Sequence, residues 1–265
     1  MGFIDIHCHI LPGIDDGPET IEESLEMIEM ACDDGGSHIF ATPHILKGVH
    51  NNSSETIISS LNNFRNHVNN GMEVLYGADV RISNDLIDLI ERKEIPTLNG
   101  SEYLLLELPF YVMPPNIETM IFSLRQKGII PIIAHPERYP YLMRNLQQMK
   151  RLRDIGVLYQ VTATSLTGGF GRDICRSCFS MIKEGLVDFV ASDAHNSKTR
   201  PPILSKAYRE IKREFDEVIA DRLFFYNPRR ILEEPDNKKA PHWATRDKQS
   251  AAAGIANIAQ GSSSE

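Results

Sequence analysis

Cysteine is scarce in this chain of 265 residues, and the four present, Cys8, Cys32, Cys175 and Cys178, are too scattered for a disulfide scaffold. None is followed by arginine six positions on, which excludes phosphatase chemistry built on a Cys-x5-Arg loop. Cys175-x-x-Cys178 sits among Ile174, Met181 and Ile182 at helical spacing and reads as helix packing. There is one tryptophan, Trp243, and no run of Lys or Arg. With a net charge of -8, the chain lacks the footprint of a nucleic-acid partner. It also lacks an apolar run near the roughly 18 residues of a membrane span, and a charged-then-apolar leader. A cytoplasmic protein without membrane insertion is the expectation. What is present is ordinary for a globular protein, 42% hydrophobic and 24% charged residues. The length suits one sizeable core, as in α/β barrels of about 200–250 residues.

The first seventeen residues are the most informative. Phe3 to Cys8 alternates apolar and polar residues, the pattern of a short half-buried strand. His7 and His9 then face the same way, on the order of 7 Å apart at Cβ, with Cys8 on the opposite face. The turn that follows carries Asp15 and Asp16. Two imidazoles beside paired carboxylates form the nucleus of a metal site.

Downstream the chain alternates. Helical spacing over Pro18–Cys32, with a stripe of Ile21, Leu25, Ile28 and Cys32, precedes a strand over His38–Ala41. A helix over Ser53–Val68 leads to a strand over Glu73–Ala78, and a short helix around Leu86–Ile90 to a strand over Tyr103–Leu108. Ile117–Gln126, Leu142–Ile155, Arg172–Lys183 and Leu204–Phe215 read as helices, and Ile129–Ala134, Val157–Ala163 and Val187–Ala191 as strands; Asn227-Pro228 opens a last short helix. Seven mostly apolar strands, each followed by a helix, predict an α/β fold with a parallel sheet, closed or distorted into a barrel. From about Glu234 the apolar period is lost. The expected division is therefore a domain over 1–233 and a polar, disordered tail over 234–265.

In such a barrel the chemistry sits at the carboxyl ends of the strands. Those ends carry His7 and His9 with Asp15 and Asp16, then His44, Asp79, Glu107, His135, and finally Asp193 and His195. The sixth offers only Gln160, Thr162 and Thr164. Five histidines and several carboxylates crowding one rim need cations to neutralise them. Imidazole nitrogen and carboxylate oxygen without thiolate suit Mn, Fe or Zn, and so many ligands imply two or three ions. Arg138 and Arg200 follow His135 and His195 onto the same rim, where a guanidinium can hold phosphoryl oxygens bidentately. His38, His50, His67 and His242 have no such context and read as surface or packing residues.

Taken together, His7-Cys8-His9, Asp15-Asp16-Gly17, Ala41-Thr42-Pro43-His44, Gly77-Ala78-Asp79, Leu106-Glu107, Ala134-His135-Pro136-Glu137-Arg138 and Ser192-Asp193-Ala194-His195 resemble the polymerase-and-histidinol-phosphatase (PHP) superfamily. Within it, the bacterial manganese-dependent protein-tyrosine phosphatases of capsular and exopolysaccharide operons are the nearest in pattern. The resemblance covers about Met1 to Leu232. It implies a distorted (β/α)7 TIM-like barrel and a trinuclear site of divalent ions, Mn first with Fe or Zn as alternatives. His7, His9 and Asp193 would bind one metal and Glu107 and His135 a second, with Asp79 bridging them. Asp16, preferred to Asp15, would hold the third with His44 and His195, and Arg138 and Arg200 would grip phosphate. Asp79 is a departure, standing where the family usually has Glu, one methylene longer.

The activity implied is hydrolysis of phosphotyrosine on a protein partner, a bacterial tyrosine kinase that regulates polysaccharide synthesis. A PHP phosphatase of small molecules such as histidinol phosphate is the first alternative. A metal amidohydrolase is weaker, since it would want a histidine at the sixth strand end. A catalytically silent metal-binding module is a third, to which only Asp79 points. The oligomeric state is left open.

Overall fold

The computed structural model describes residues 2–233. The tail expected over 234–265, with His242 and Trp243, lies outside the described residues. The first half runs β1 (Phe3–Cys8), α1 (Ile21–Asp33), β2 (Gly36–Ala41), β3 (His44–Ile45), α2 (Ser54–Arg65), β4 (Glu73–Tyr76), β5 (Asp79–Arg81), α3 (Leu86–Glu91), β6 (Tyr103–Glu107) and α4 (Ile117–Gln126). The second half runs β7 (Ile130–Ala134), α5 (Pro140–Met143), α6 (Leu146–Asp154), β8 (Leu158–Thr162), α7 (Ala163–Leu166), α8 (Arg172–Lys183), β9 (Phe189–Ala191), α9 (Ser205–Glu214), α10 (Glu217–Asp221) and α11 (Asn227–Leu232).

This is an α/β fold, and every ladder between its strands is parallel. The strands form a three-stranded sheet, β1-β2-β4, and a six-stranded sheet, β3-β5-β6-β7-β8-β9. Sheet-forming segments occur in all seven expected regions, in two sheets rather than one closed barrel, and short additional strands follow the second and third. Thr42-Pro43 separates β2 from β3, since proline has no N–H to give the ladder. Gly77-Ala78 separates β4 from β5. A Cβ on Gly77 would lie 2.6 Å from a Leu98 methyl, so a side chain there would force Leu98 to shift. The short pieces after these breaks carry His44 and Asp79, and their Cα atoms are paired in the β3–β5 register.

At the other side, Cys8 makes an isolated parallel bridge with Ala194, just beyond β9. There the Asp193 N–H donates to the His7 carbonyl at 2.8 Å and the His9 N–H to the Ala194 carbonyl at 2.8 Å. The β1 tail is thus tied to β9's continuation as well as to β2.

The helices cover the apolar sides of the strands. Thr20 caps α1 by accepting from the Glu23 N–H, and Glu22 and Glu23 sit favourably in its first turn. Its buried face is Ser24, Met27, Ile28 and Ala31, rotated from the expected stripe because Ile21, Leu25 and Cys32 fall at the edge of the contact. Cys178 is fully buried on α8 and all four cysteines are free thiols. No helix among the described residues is long and apolar enough to cross a membrane.

The start of α9 has no cap of its own; Asp34, at the end of α1, supplies it. Its carboxylate accepts from the Leu204 and Ser205 N–H groups at 2.6 and 2.8 Å and from the Ser205 hydroxyl at 2.5 Å. Asp34→Ala should lower the unfolding free energy by about 1–2 kcal/mol, as for loss of an N-cap, read from the urea midpoint at unchanged slope.

Candidate active site

The site begins at the end of β1, where His7 and His9 are fully buried. His7 Nδ1 lies 2.9 Å from Gln160 Oε1 on β8. An amide oxygen only accepts, so Nδ1 carries the proton and Nε2 presents a bare lone pair. His9 Nδ1 lies 2.6 Å from Asp15 Oδ2, which turns its Nε2 inward too. The Asp15 carboxylate also accepts from the Gly17 and His44 N–H groups at 2.9 and 3.0 Å. Asp15 is therefore committed to orienting its neighbours. Asp16, on the rim, has Oδ1 3.6 Å from His44 Nε2 and 3.5 Å from His195 Nε2.

Three atoms meet at the floor. His7 Nε2 and His9 Nε2 are 3.2 Å apart and lie 3.3 and 3.5 Å from Asp193 Oδ1. Beside them Asp79 is wholly buried and neither of its carboxylate oxygens has a hydrogen bond. Its Oδ2 lies 3.2 Å from His44 Nδ1 and 3.7 Å from His7 Nε2. Glu107 has one oxygen 3.9 Å from His44 Nδ1 and the other 3.9 Å from His135 Nε2. Three sets of ligand atoms could each surround a metal ion: His9, Asp16, His44 and His195; His7, His9 and Asp79; and His44, Asp79 and Glu107. An orphaned buried carboxylate amid imidazole nitrogens, with no thiolate, fits a divalent cation.

Two of these residues sit on strained backbone. His135 and Asp193 have φ values of 35° and 52°, the left-handed region that non-glycine residues seldom adopt. His135 directly follows β7, and Asp193 lies two residues past β9.

The electrostatics of the cluster follow from burial and crowding. Burial pushes His7 down, although Asp193 and Asp79 oppose it. Burial and Arg138 take His135 to about 3, and burial and His9 take His195 to about 2. Burial and the neighbouring Asp79 raise Glu107 to about 7. His9 goes the other way. Burial would lower it, but Asp15 and Asp193 prevail and lift it to about 10.

Arg138 and Arg200 both reach Asp193 Oδ2 at 2.7 Å, and Arg200 also donates to the Asp193 carbonyl at 3.0 Å. The Asn196 side-chain oxygen accepts from the N–H groups of Lys198, Thr199 and Arg200, which curls the loop that presents Arg200. Every sequence-predicted residue of the site thus lies in one connected cluster.

Other members were not foreseen. Arg81 Nε donates to Glu107 at 3.0 Å. It lies two residues past Asp79 on the same strand, a spacing that could have flagged it. Glu137 is buried and accepts from the Thr162 N–H and the Ser165 hydroxyl, fastening the Arg138 turn to the end of β8. His50, expected as a surface or packing residue near the strand-two loop, stacks its ring on His44 at 5.8 Å.

The family model for capsular polysaccharide synthesis, CpsB/CapC, matches residues 3–233. The chain belongs to the CpsB/CapC family. It is 37% identical to CapC of Staphylococcus aureus over 220 residues, 81% of this chain and 86% of that one. It is 32% identical to the tyrosine-protein phosphatase CpsB of Streptococcus agalactiae over 237 residues, 86% of this chain and 98% of CpsB. Among solved structures, one from work on YwqE of Bacillus subtilis and CpsB of Streptococcus pneumoniae, described as unique metal-dependent tyrosine phosphatases, superposes with a TM-score of 0.84. That match has 34% identity and covers 86% of this chain and 94% of the other. The CpsB/CapC match takes in every residue of the cluster.

The His9–Asp15 pair gives a direct test of the electrostatics. In chelator-treated protein, Asp15→Asn removes the carboxylate that stabilises the imidazolium. The His9 titration followed by NMR should move down from about 10 by about 1–3 pH units.

Proposed function

We propose that this chain is a metal-dependent protein-tyrosine phosphatase, acting on phosphotyrosine of a bacterial tyrosine kinase that regulates capsular or exopolysaccharide synthesis. The observation that carries the metal site is Asp79, sealed from solvent with both oxygens lacking hydrogen bonds and ring nitrogens close by. The relatives named as tyrosine-protein phosphatases supply the reaction class. We take residues 1–233 as the catalytic unit and the cytoplasm as its setting.

We assign two or three divalent ions, Mn first with Fe or Zn as alternatives. His7, His9 and Asp193 would hold one, in keeping with their mutual distances of 3.2 to 3.5 Å. Glu107 and His135 would hold a second, with Asp79 between the two. Asp16, His44 and His195 would hold a third, with His9 Nε2 also near that group. For the fold we propose a distorted (β/α)7 barrel, supported by parallel neighbours throughout and by the bridge from Cys8 to Ala194.

When bound, such ions supply Lewis acidity toward water and phosphoryl oxygens. The protein's part is positional. Gln160 and Asp15 fix the ring tautomers of His7 and His9. Arg138 and Arg200 converge on one carboxylate from two loops, a pre-aligned pair of guanidinium groups. A phosphoryl group entering above Asp193 would take their donors bidentately, stabilising charge on its equatorial oxygens. Glu107 is held against solvent and Arg81, which keeps its carboxylate aimed at His135 and His44.

Purified protein with Mn should release phosphate from a phosphotyrosine peptide, and do so faster than from small phosphate monoesters. Chelation or His7→Ala/His9→Ala should abolish turnover, and Arg138→Ala should cut kcat/KM by about a hundredfold or more. Full activity after chelation, or a preference for small monoesters, defeats the reading.

Gln160→Leu tests the tautomer argument separately. Metal affinity measured by competition with a chromophoric chelator should fall about 10–100-fold while the circular dichroism spectrum is unchanged.

A further inference from the structure

The members of the cluster are unequally exposed, and the inequality points in one direction. His7, His9 and Asp79 are sealed, whereas the side chains of His44, Glu107 and Asp16 are 14%, 13% and 52% exposed. Solvent therefore reaches the site most freely at Asp16 and also touches it at His44 and Glu107. The chain leaving Glu107 is the loop 108–116, Leu-Pro-Phe-Tyr-Val-Met-Pro-Pro-Asn, which holds no charged residue in a protein of net charge -8. Its tip is apolar and outside: Phe110, Tyr111 and Val112 are 45%, 82% and 69% exposed.

The base of this loop is fixed to the site itself. Tyr139 Oη accepts from the Leu108 N–H at 2.9 Å, Tyr141 Oη donates to the Pro109 carbonyl at 2.6 Å, and Arg81 donates to the Leu108 carbonyl at 3.0 Å. The two tyrosine rings stack at 5.6 Å, and Tyr139 lies 5.4 Å from the His135 ring. Leu108 is fully buried, Met113 packs on the core, and three prolines limit the backbone. Three consecutive exposed apolar side chains on so rigid a base are preorganised for contact. Phe110 is three residues from Glu107, hence within roughly 11 Å of it at Cα.

We propose that Phe110, Tyr111 and Val112 are specificity-determining residues that hold uncharged, apolar side chains flanking the phosphotyrosine of the protein substrate. This rests on the phosphatase reading and adds to it a substrate class. A phosphoryl group gripped by Arg138 and Arg200 keeps its polypeptide at the open side of the site, and Glu107, from which the loop departs, is one of the residues on that side. The loop offers no charge for an anion or a metal. The half-buried guanidinium groups take the phosphate, and the loop sorts the peptide.

The test compares kcat/KM of the Mn-loaded enzyme on three substrates: a phosphotyrosine peptide with Leu and Val flanks, the same peptide with Ser flanks, and free phosphotyrosine. The Phe110→Ser/Tyr111→Ser/Val112→Ser variant should lose about tenfold or more on the apolar-flanked peptide, mainly in KM. It should stay within about twofold of wild type on the other two, and Phe110→Leu/Tyr111→Leu should retain the preference. An equal loss on all three substrates, no loss on any, or a change confined to oligomeric state in sedimentation overturns the proposal; the last would make the loop a contact between copies. Wild-type enzyme that turns over none of the three fails at the phosphatase reading instead, and the loop's role falls with it.

Discussion

Asp79 lies fully buried with neither oxygen hydrogen-bonded, and its neighbours are the rings of His44 and His7. Taking a carboxylate out of water without donors is among the costlier things a fold can do, and the cost is recovered only by positive charge held close. Asp193 poses the same problem a few ångströms away. Two guanidinium groups and two histidine rings meet it there. The surrounding architecture can be understood as what is needed to keep these groups together. Parallel strands put their carboxyl ends on one side, and each end delivers one or two polar side chains.

The fold bends to serve that requirement. Thr42-Pro43 and Gly77-Ala78 interrupt two strands just before His44 and Asp79, and the chain takes left-handed φ at His135 and Asp193. Each is a local cost set against bringing one of the clustered side chains to the strand ends. The rest of the molecule supplies the rigidity. Asp34 pins α9 to the end of α1, and Asp188, paired bidentately with Arg153, accepts from the Tyr159 N–H to join α6 to β8.

Much of this was legible in the residues. The apolar runs and their helical partners gave the α/β class, because a strand buried on both faces has little choice of composition. The strand-end residues were legible as neighbours because parallel strands bring their carboxyl ends to one side, and eleven candidates lie in one cluster. The expected face of α1 was off by about one position, since periodicity locates an apolar stripe but packing selects which part of it touches the core. Arg81 and Glu137 carry no such signal. Each owes its role to a contact with a distant residue, and no local pattern carries that information.

By itself, the sequence determined the strand and helix alternation, the family, and the donor chemistry of the site, because these depend on residue type and spacing along the chain. Tertiary structure decided which atoms of those residues meet. It committed Asp15 to His9 and left Asp16 beside His44 and His195. It buried Asp79 against the rings of His44 and His7 and left Asp16, His44 and Glu107 on the open side of the site. Distances between side chains brought from different strands depend on register, twist and strand breaks, which are properties of the packed molecule rather than of any one segment.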